Sequence, residues 1–367
     1  MAKATLLDQP TDYKRLGINP ERIEVWEDRR RNTDSSPNNW EWWYSDFIFD
    51  DGTTAVIQFF TKGGNHIRKN GDFPSINLRI THPDGTHYSD SIEVKARDCS
   101  FGNDKCDVRL GVHLFTGDLR EYHIHVEPTK GYGADLKLVS CSKPYRPGTA
   151  YFNFGSPDKF YTWFCAVPKA EVSGTITFGG KTCEVIGKGY HDHQWGNVQF
   201  LTEWNNWLWA RQSFDDYSMI VFDMVSTAKT GFSRFPIVFV QDKDGNIVFE
   251  NTENVSCEVL ESYCDDKASG KEYPKSLRYV FENSGDKVIY TLKEKKVIES
   301  QGLRTISFVR KLAVKAMGLN PSYSRYLADG AMSLMTGGKT VNRSGELIYE
   351  FMFPGDSFAG HLETEGK

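Results

Sequence analysis

An alternation of apolar and polar residues recurs along most of this chain, and it constrains the fold more than any other feature. Ile76, Leu78 and Ile80 alternate with polar neighbours, and residues 122–126 repeat the pattern. A period of two predicts strands with one buried face. Turn residues such as Pro83-Asp84-Gly85 separate these stretches. Many short strands joined by turns predict an all-β fold of antiparallel barrels or sandwiches.

The length of the chain predicts two such domains. A single hydrophobic core stops growing at about 250–300 residues, and this chain has 367. We expect a polar N-terminal arm over residues 1–39, a first β domain over 40–200 and a second over 201–367. Residues 308–316 depart from the period of two and predict a short helical insertion in the second domain.

Charge and composition exclude several classes of function. The chain has 44 basic and 49 acidic residues and a net charge of −5, without a basic footprint, so nucleic acid is not an expected partner. No stretch approaches the roughly 20 apolar residues that cross a bilayer, which leaves open only a peripheral membrane contact. The absence of a secretory signal and the odd number of seven cysteines favour reduced thiols and a cytoplasmic protein. The oligomeric state is left open.

The first unusual cluster is the segment 40–47, which has three tryptophans in its first four residues. In a strand, Trp42 and Tyr44 share one face with Trp40 and Asp46. One interpretation is ordinary packing of aromatic side chains in a core and at its rim. The other is an aromatic wall, with Trp42 and Tyr44 facing a large, flat or polyene ligand.

The second cluster lies between glycines at 187–197. In a strand, His191, His193 and Trp195 share one face, and Asp192 lies on the other. Two imidazoles and an indole are costly to bury without hydrogen-bond partners. The cluster therefore indicates either a catalytic site or a structural cap that closes one end of a barrel through hydrogen bonds to the backbone.

Two His-x-His pairs raise the question of a metal. His123 with His125 and His191 with His193 would supply four nitrogens for Zn²⁺ or Fe²⁺. However, His123 and His125 lie opposite the apolar face of their strand, and the spacing alone is a weak motif. We therefore expect no metal.

The third cluster surrounds Asp223, which interrupts an apolar run and is the sharpest local anomaly in the chain. Trp207, Trp209 and Arg211 share one side of a strand, and Tyr217 shares a side of the next strand with Asp223. A carboxyl group there either pairs with a cation such as Arg211 or stays protonated because burial raises its pKa. A protonated acid among aromatic rings suits the protonation of an alkene.

Such a site supports a definite mechanism. Protonation of a trisubstituted alkene gives a tertiary carbocation, which each indole face stabilises by about 0.5–2 kcal/mol. A positioned acid contributes about 10²–10⁴-fold. His191 or His193 would then take a proton from the attacking water or from the carbon next to the cation. Without an acid, the same pocket would fold a polyene for cyclisation by proximity and orientation.

Four motifs carry a resemblance to a known family. They are Glu41-Trp42-Trp43-Tyr44, Gly117-Asp118 before Tyr122, Trp163 with Ala166-Val167-Pro168 and Gly174, and Gly189-Tyr190-His191-Asp192-His193-Gln194-Trp195-Gly196. From about Trp40 to Trp209, the chain resembles the carotenoid 1,2-hydratase (hydroxyneurosporene synthase) family. The resemblance implies two lipocalin-like β domains, a hydrophobic pocket and a relation to fungal Diels–Alderases. It implies no metal or organic cofactor.

The resemblance also implies where the proton machinery lies. The histidine and tryptophan of the family's His-x-Trp motif correspond to His193 and Trp195, and its aspartate corresponds to Asp223. The chain departs from the family at two positions, because Gln194 stands where asparagine is common and Val221 stands where a tyrosine is expected. The second departure removes one member of the proton relay.

These observations together predict a hydratase or hydro-lyase that acts on an alkene of a hydrophobic isoprenoid, polyene or prenylated phenolic substrate. Asp223 is the expected acid, and His193 with His191 supplies the base. The expected substrate contacts are Trp42, Tyr44, Trp195, Trp207, Trp209, Arg211 and Tyr217. The alternatives are an isomerase or cyclase of secondary metabolism, related to Diels–Alderases, and a lipid or pigment carrier without catalysis.

Overall fold

The computed structural model describes residues 2–316 and 319–355, and these residues form two antiparallel β-sheets with three short α-helices. The strands of the first sheet are β1 (Ala4–Leu6), β2 (Trp40–Phe49), β3 (Thr54–Phe60), β4 (Ser75–Thr81), β5 (His87–Glu93), β6 (Cys99–Phe101), β7 (Cys106–Leu110), β8 (His113–Gly117), β9 (Glu121–Thr129), β10 (Tyr132–Ser140), β11 (Tyr151–Phe154), β12 (Phe160–Phe178) and β13 (Lys181–Gly196). The strands of the second are β14 (Trp204–Ser213), β15 (Tyr217–Ser226), β16 (Arg234–Asp242), β17 (Ile247–Asn251), β18 (Val255–Cys264), β19 (Glu272–Asn283), β20 (Asp286–Gln301), β21 (Ser322–Thr336) and β22 (Lys339–Phe353). The helices are α1 (Pro10–Leu16), α2 (Phe200–Glu203) and α3 (Phe308–Ala316).

Both sheets are built mainly from strands that neighbour each other in sequence. The first sheet has the order β5-β4-β3-β2-β13-β12-β10-β9-β8-β7-β6, with β11 and β1 attached beside β12. The second has the order β17-β16-β15-β14-β22-β21-β20-β19-β18. In each sheet one long-range pair, β2 with β13 and β14 with β22, joins the first and last parts of the sheet. The two curled antiparallel sheets confirm the predicted all-β, lipocalin-like fold.

The chain divides into two compact units. The N-terminal unit comprises Leu6–Asn153 and Pro157–Gln199. The C-terminal unit comprises the described parts of Met1–Thr5, Phe154–Ser156 and Phe200–Lys367. A few residues near the start of the chain and in β11 therefore belong with the C-terminal unit.

Alternate residues of the strands build the core of the N-terminal unit, as the period of two predicts. Trp43, Phe47 and Phe49 of β2 are buried, and so are the inward residues of the neighbouring strands. A large apolar side chain that is fully buried contributes about 1.5–3 kcal/mol. Gly174 of β12 shows how closely the strands approach, because a Cβ there would lie 2.0 Å from the carbonyl oxygen of Asp135.

The core of the C-terminal unit follows the same rule but contains more hydroxyl groups. Tyr273, Tyr279, Tyr290, Tyr326 and Tyr349 are buried in it. Several of these hydroxyls have partners, as a buried polar group requires. For example, the Tyr290 hydroxyl donates to Gln212 at 2.8 Å. Burial strongly raises the pKa of Tyr290, which keeps this hydroxyl a neutral donor.

The N-terminal segment is more structured than an extended arm. It contains β1, α1 and a 3₁₀ turn at Val25–Asp28, in which Glu27 and Asp28 are buried. Glu27 forms a buried ion pair with Arg146 at 2.8 Å. The segment therefore contributes charged side chains to the interior of the N-terminal unit.

The predicted helical insertion is confirmed as α3, between β20 and β21.

Among the described residues, no helix has both the length and the apolar character needed to span a membrane. All seven cysteines are free thiols in the structure, including Cys99 and Cys106 and the similarly spaced Cys257 and Cys264.

Candidate active site

Strand β13 places polar side chains on both faces of the first sheet. Its register with β2 sets His193 opposite Trp43 and Asp192 opposite Tyr44. His191, His193 and Trp195 face the core, and Asp192 and Gln194 face the other side of the sheet, as the alternation predicts. The two faces therefore form two separate polar clusters, which we call the inner cluster and the Asp192 cluster.

The Asp192 cluster holds one carboxyl group with three donors. The hydroxyl of Tyr190 donates to Oδ2 at 2.9 Å and the indole Nε1 of Trp163 donates at 3.3 Å. The side-chain amide of Gln194 donates to Oδ1 at 3.0 Å, and its own carbonyl accepts from Tyr161 at 2.8 Å. The carboxyl group is therefore fixed in position, with Asp192 only 3 % exposed.

This environment makes Asp192 a weak acid. Burial is the largest influence and raises its pKa to about 6, against the opposing hydrogen bonds from Gln194 and Tyr190. A carboxyl group with a pKa near 6 is present in both protonation states near neutral pH. Asp192 can therefore give and take a proton under ordinary conditions, which an ordinary surface aspartate cannot do.

Partly exposed aromatic rings lie beside Asp192. Trp42 and Tyr44 of β2 are half-buried, whereas Trp40 is buried and stacks on Trp42 with 4.4 Å between ring centroids. Tyr44 lies directly opposite Asp192 and meets the ring of Tyr190 edge-on at 6.2 Å. The predicted aromatic surface is thus present on the same face as the unusual carboxyl group.

The inner cluster centres on His193, which lies between two carboxylates. Its Nδ1 is 3.1 Å from Asp28 Oδ1, and its Nε2 is 2.7 Å from Glu41 Oε1. The ring stacks on Trp43 at 4.6 Å and leans against Trp195 at 4.7 Å. Burial alone would lower the pKa of His193, but the two carboxylates outweigh it and raise the pKa.

His191 contacts the other oxygen of the Asp28 carboxylate. Its Nδ1 lies 2.9 Å from the carbonyl oxygen of Tyr44, and its Nε2 lies 3.2 Å from Asp28 Oδ2. The hydroxyl of Tyr122 donates to the same Oδ2 at 2.5 Å. Burial alone would raise the pKa of Asp28, but the charges and hydrogen bonds of His191 and His193 outweigh it and hold the pKa well below its usual range.

Two further contacts explain motifs of the sequence. The ring of Tyr122 packs on Gly117, where a Cβ would lie 2.1 Å from the ring, so only glycine lets Tyr122 reach Asp28. Glu41 accepts hydrogen bonds from the backbone N–H groups of Arg31 at 2.6 Å and Asn32 at 2.9 Å. The inner cluster therefore ties the N-terminal segment to β2 and β13.

Sequence reasoning missed Asp28 and did not assign a role to Glu41. Asp28 lies in a segment without periodicity, so no pattern placed it in the core. The available signal was indirect, because two buried histidines require acceptors and the sequence between Glu24 and Glu41 is rich in carboxylates. Both residues are buried in the structure.

The structure does not join the two His-x-His pairs. His123 and His125 lie on the outer face of β9, where both contact Asp135, whereas His191 and His193 face the core. Asp28, Cys106 and His191 do bring three potential ligand atoms within 4.8 Å of one another.

The groups of that trio already have hydrogen-bond partners. Asp28 accepts from Tyr122, His191 contacts the Tyr44 carbonyl, and the thiol of Cys106 donates to the Phe115 carbonyl at 3.5 Å. Burial also raises the pKa of Cys106 well above its usual value, which disfavours the thiolate that binds metals. We therefore interpret the inner cluster as an ion-pair network.

Asp223 lies in the C-terminal unit and is paired, but not with Arg211. The guanidinium of Arg234 donates to both of its carboxylate oxygens, at 2.9 and 2.8 Å, and the hydroxyl of Tyr279 donates at 3.1 Å. Burial alone would lower the pKa of Arg234, but the Asp223 carboxylate outweighs it and raises the pKa. Of the two alternatives for Asp223, the structure shows the ion pair. Its partner is Arg234 and not Arg211, the cation suggested from the sequence.

The register of β14 and β15 also separates the residues of the third cluster. Asp223 lies opposite Leu208, so it shares a face with Leu208 and not with Trp207 or Trp209. Arg211 shares the face of the two tryptophans, since alternate residues of a strand point the same way. The sequence correctly grouped Trp207, Trp209 and Arg211 on one face of β14. It also grouped Tyr217 with Asp223 on one face of β15. In the sheet these two groups point to opposite sides.

Stability of the N-terminal unit should depend on pH through the inner cluster. The lowered pKa of Asp28 stabilises the folded state above about pH 4, and this contribution is lost as the pH falls. The raised pKa of His193 stabilises it below about pH 6.5, and this contribution is lost as the pH rises through the folded value. We expect the difference in unfolding free energy between the wild type and Asp28→Asn to be largest between about pH 4 and 6.5, by chemical denaturation.

Asp135→Asn is the matched control for Asp28→Asn. Asp135 also contacts two histidines, His123 and His125, but all three are at the surface. Its replacement should change the unfolding free energy by less than about 1 kcal/mol. A difference between wild type and Asp28→Asn that does not vary with pH would contradict the assigned charges.

The fold and these clusters define a class of protein: an all-β chain of two curled antiparallel sheets, with a buried acid and aromatic rings on one face of the first. The chain belongs to the AttH-like family, which matches residues 80–303. The predicted relation to the carotenoid 1,2-hydratase family is confirmed. The family match also extends well into the C-terminal unit, beyond Trp209, where the resemblance in sequence ended.

Two curated relatives match part of the chain. A hydroxyneurosporene dehydrogenase of Chlorobaculum tepidum is 24% identical over 209 residues, which are 48% of this chain and 54% of the relative. A quinolone epoxide rearrangement protein of Penicillium thymicola is 25% identical over 136 residues, which are 36% of either chain. The chain thus spans about half of the first relative and about a third of the second.

Solved structures match over nearly the whole chain. CghA, solved with Sch210972, has a TM-score of 0.64 at 16% identity and covers 91% of this chain and 95% of its own. Kievitone hydratase from Nectria haematococca has a TM-score of 0.51 at 13% identity and covers 91% of this chain and 98% of its own. At such low identity the likeness concerns the fold.

Proposed function

We propose that this chain is a hydro-lyase that protonates an alkene of a hydrophobic isoprenoid, polyene or prenylated phenolic substrate and adds water to the resulting cation. The observation that carries the proposal is Asp192, a buried carboxyl group with a pKa of about 6 that lies opposite the half-buried Tyr44. A structural neighbour named as a kievitone hydratase supports hydration as the reaction, and a relative named as a hydroxyneurosporene dehydrogenase supports a hydrophobic substrate but not the reaction type.

Asp192 supplies the proton in this scheme. Its O–H bond breaks as a C–H bond forms at the less substituted alkene carbon, which leaves a tertiary cation and the Asp192 carboxylate. Water then attacks the cation, and the surplus proton of the oxonium group returns to the carboxylate. The acid is thus regenerated, and the same steps in reverse eliminate water.

The surroundings of Asp192 fit both stages. Tyr190, Trp163 and Gln194 already donate hydrogen bonds to the carboxyl group, so they stabilise the carboxylate as it forms, with little reorganisation. The half-buried rings of Trp42 and Tyr44 would stabilise the cation by about 0.5–2 kcal/mol each. Burial keeps bulk water away from the acid.

The scheme reassigns several residues that the sequence suggested. Both carboxylate oxygens of Asp223 already accept hydrogen bonds from Arg234, and Tyr279 adds a further one, so the scheme gives Asp223 a structural role. His191 and His193 become positioning residues, which hold β13 through Asp28 and Glu41. The fully buried Trp195 becomes part of the core, since its indole donates to the Tyr151 hydroxyl. Trp42 and Tyr44 remain the proposed ligand contacts. Trp207, Trp209, Arg211 and Tyr217 belong to the C-terminal unit, where the first three and Tyr217 lie on opposite faces of the sheet, and the proposed reaction assigns them no role.

The runner-up is an isomerase or cyclase that uses the same acid without adding water. The relative named as a quinolone epoxide rearrangement protein favours it, since an acid-catalysed rearrangement uses the same initial protonation and ends with no net change of mass. The two reactions differ only in what captures the cation, which is water in one case and a group of the substrate in the other.

Labelled water separates the reactions. The purified chain is incubated with a panel of prenylated and polyene compounds in H₂¹⁸O, and products are analysed by mass spectrometry. Incorporation of ¹⁸O supports hydration. A product of unchanged mass but altered retention overturns hydration in favour of rearrangement or cyclisation. Binding of these compounds with no product overturns both in favour of a carrier.

The pH dependence of the reaction should follow Asp192. Because the protonated carboxyl is the active form, kcat/KM should fall about tenfold per pH unit above an apparent pKa of about 6. The measurement is a pH profile between about pH 5 and pH 8.5 in buffers of constant ionic strength. A profile that rises over this range would indicate an essential base and contradict the scheme.

A further inference from the structure

Helix α3 exposes apolar side chains that nothing in the described chain covers. Phe308 is 73 % exposed and Leu312 is 54 % exposed. The two residues are four positions apart and therefore adjoin on one face of the helix. Single exposed apolar residues are normal on protein surfaces, but neighbouring ones mark a surface for contact.

Cations flank the two apolar side chains. Lys311 and Lys315 occupy the same face, because positions 308, 311, 312 and 315 fall on one side of a helix. No acidic residue occurs between positions 300 and 320, although the whole chain carries a net charge of −5. Basic charge is thus concentrated around the exposed apolar pair.

We propose that α3 docks this chain on lipid bilayers that carry anionic headgroups. In this arrangement Phe308 and Leu312 enter the boundary between headgroups and acyl chains. Lys311 and Lys315 lie at the level of the phosphates. Interfacial helices bury large apolar side chains in the bilayer, and lysines that flank the apolar residues lay their carbon stems beside them and extend their ammonium groups to the headgroups.

Charge complementarity favours a bilayer over the other occupants of an apolar face. A second copy of this chain would bring the same lysines against each other, and the repulsion would oppose a symmetric contact. A neutral apolar partner would leave the lysines without counter-charges. An anionic bilayer suits both kinds of side chain, since its hydrocarbon accepts Phe308 and Leu312 and its phosphates pair with the lysines.

The test measures partition of the full-length chain onto vesicles. Phosphatidylcholine vesicles are compared with vesicles of phosphatidylcholine and phosphatidylglycerol, by co-sedimentation at low and high salt. The wild type should bind the mixed vesicles and lose binding at high salt. Phe308→Ser with Leu312→Ser, or Lys311→Glu with Lys315→Glu, should each lower the partition constant by about tenfold or more.

Val112→Ser with Ile186→Ser is the matched control, because these residues are 68 % and 62 % exposed but lie in the N-terminal unit, away from α3 in the chain. It should bind as the wild type does. Equal loss of binding in the control overturns the proposal, as does wild type that binds neither kind of vesicle. A dimer in size-exclusion chromatography that dissociates on Phe308→Ser, with no vesicle binding, overturns it in favour of a second copy.

Discussion

Replacing Asp192 with asparagine is expected to lower kcat by about 10²–10⁴-fold, the contribution of a positioned acid. Asparagine has nearly the same shape as aspartate but has no proton to give to an alkene. The aromatic surface beside it is unchanged, so affinity for the substrate should remain within a few-fold. Steady-state kinetics with a substrate from the panel above, together with a binding titration, separates kcat from affinity.

The same substitution should not weaken the fold, and this distinguishes lost chemistry from misfolding. A carboxyl group whose folded pKa is about 6 binds more protons when folded than when unfolded, between about pH 4 and 6. Folding stability therefore falls as the pH rises through this window, by on the order of 3 kcal/mol in total at neutral pH. Asparagine removes this cost, so Asp192→Asn should melt no earlier than the wild type at pH 8.

Asp46→Asn is the control for position on the sheet. Asp46 of β2 is also buried. It lies opposite Tyr190 and on the same face of the sheet as Asp192. Its replacement should leave kcat within a few-fold of the wild type. Full activity in Asp192→Asn, with loss of activity in Asp46→Asn, would move the acid to Asp46 and contradict the assignment to Asp192.

The sequence predicts the local structure of this chain well, but it does not predict which residues pair with its buried charges. Period-two alternation correctly separates Asp192 from His191 and His193, because the faces of a strand follow from the sequence alone. It also locates α3. The choice of Asp223 as the acid rested on its interruption of an apolar run, which indicates burial but not what the carboxyl group meets. Arg234 begins the next strand, and only the register brings the two together.

The N-terminal segment shows the same limit. Asp28 belongs to a short 3₁₀ turn in a polar stretch, and no periodicity marks it as buried. Its position depends on contacts with Tyr122, His191 and His193, which are 94 or more residues away in the chain. Local composition gives only an indirect signal of such long-range pairing, which here is the carboxylate-rich sequence around Asp28. The role of the motif residues Gly117 and Tyr122 becomes clear only from their contact with Asp28, because Gly117 makes room for the Tyr122 ring and Tyr122 donates to Asp28.

Asp223→Asn is expected to lower the unfolding free energy by about 3–5 kcal/mol, because it leaves the buried guanidinium of Arg234 without its counter-charge. Arg234→Met should cost a similar amount for the converse reason. Asp223→Asn combined with Arg234→Met should cost much less than the sum of the single changes, since no charge then remains buried. Chemical denaturation of the single and double variants measures this coupling.

The outcome also decides between the two candidate acids. The exposed pair of Asp216 and Arg343 is the control, and Asp216→Asn should cost no more than about 1 kcal/mol. If Asp223 has a structural role, the double variant will regain both stability and turnover, because neither residue then takes part in proton transfer. A double variant that is stable but inactive, beside an active Asp192→Asn, would return the acid role to Asp223, since only a chemical function would be lost with the pair.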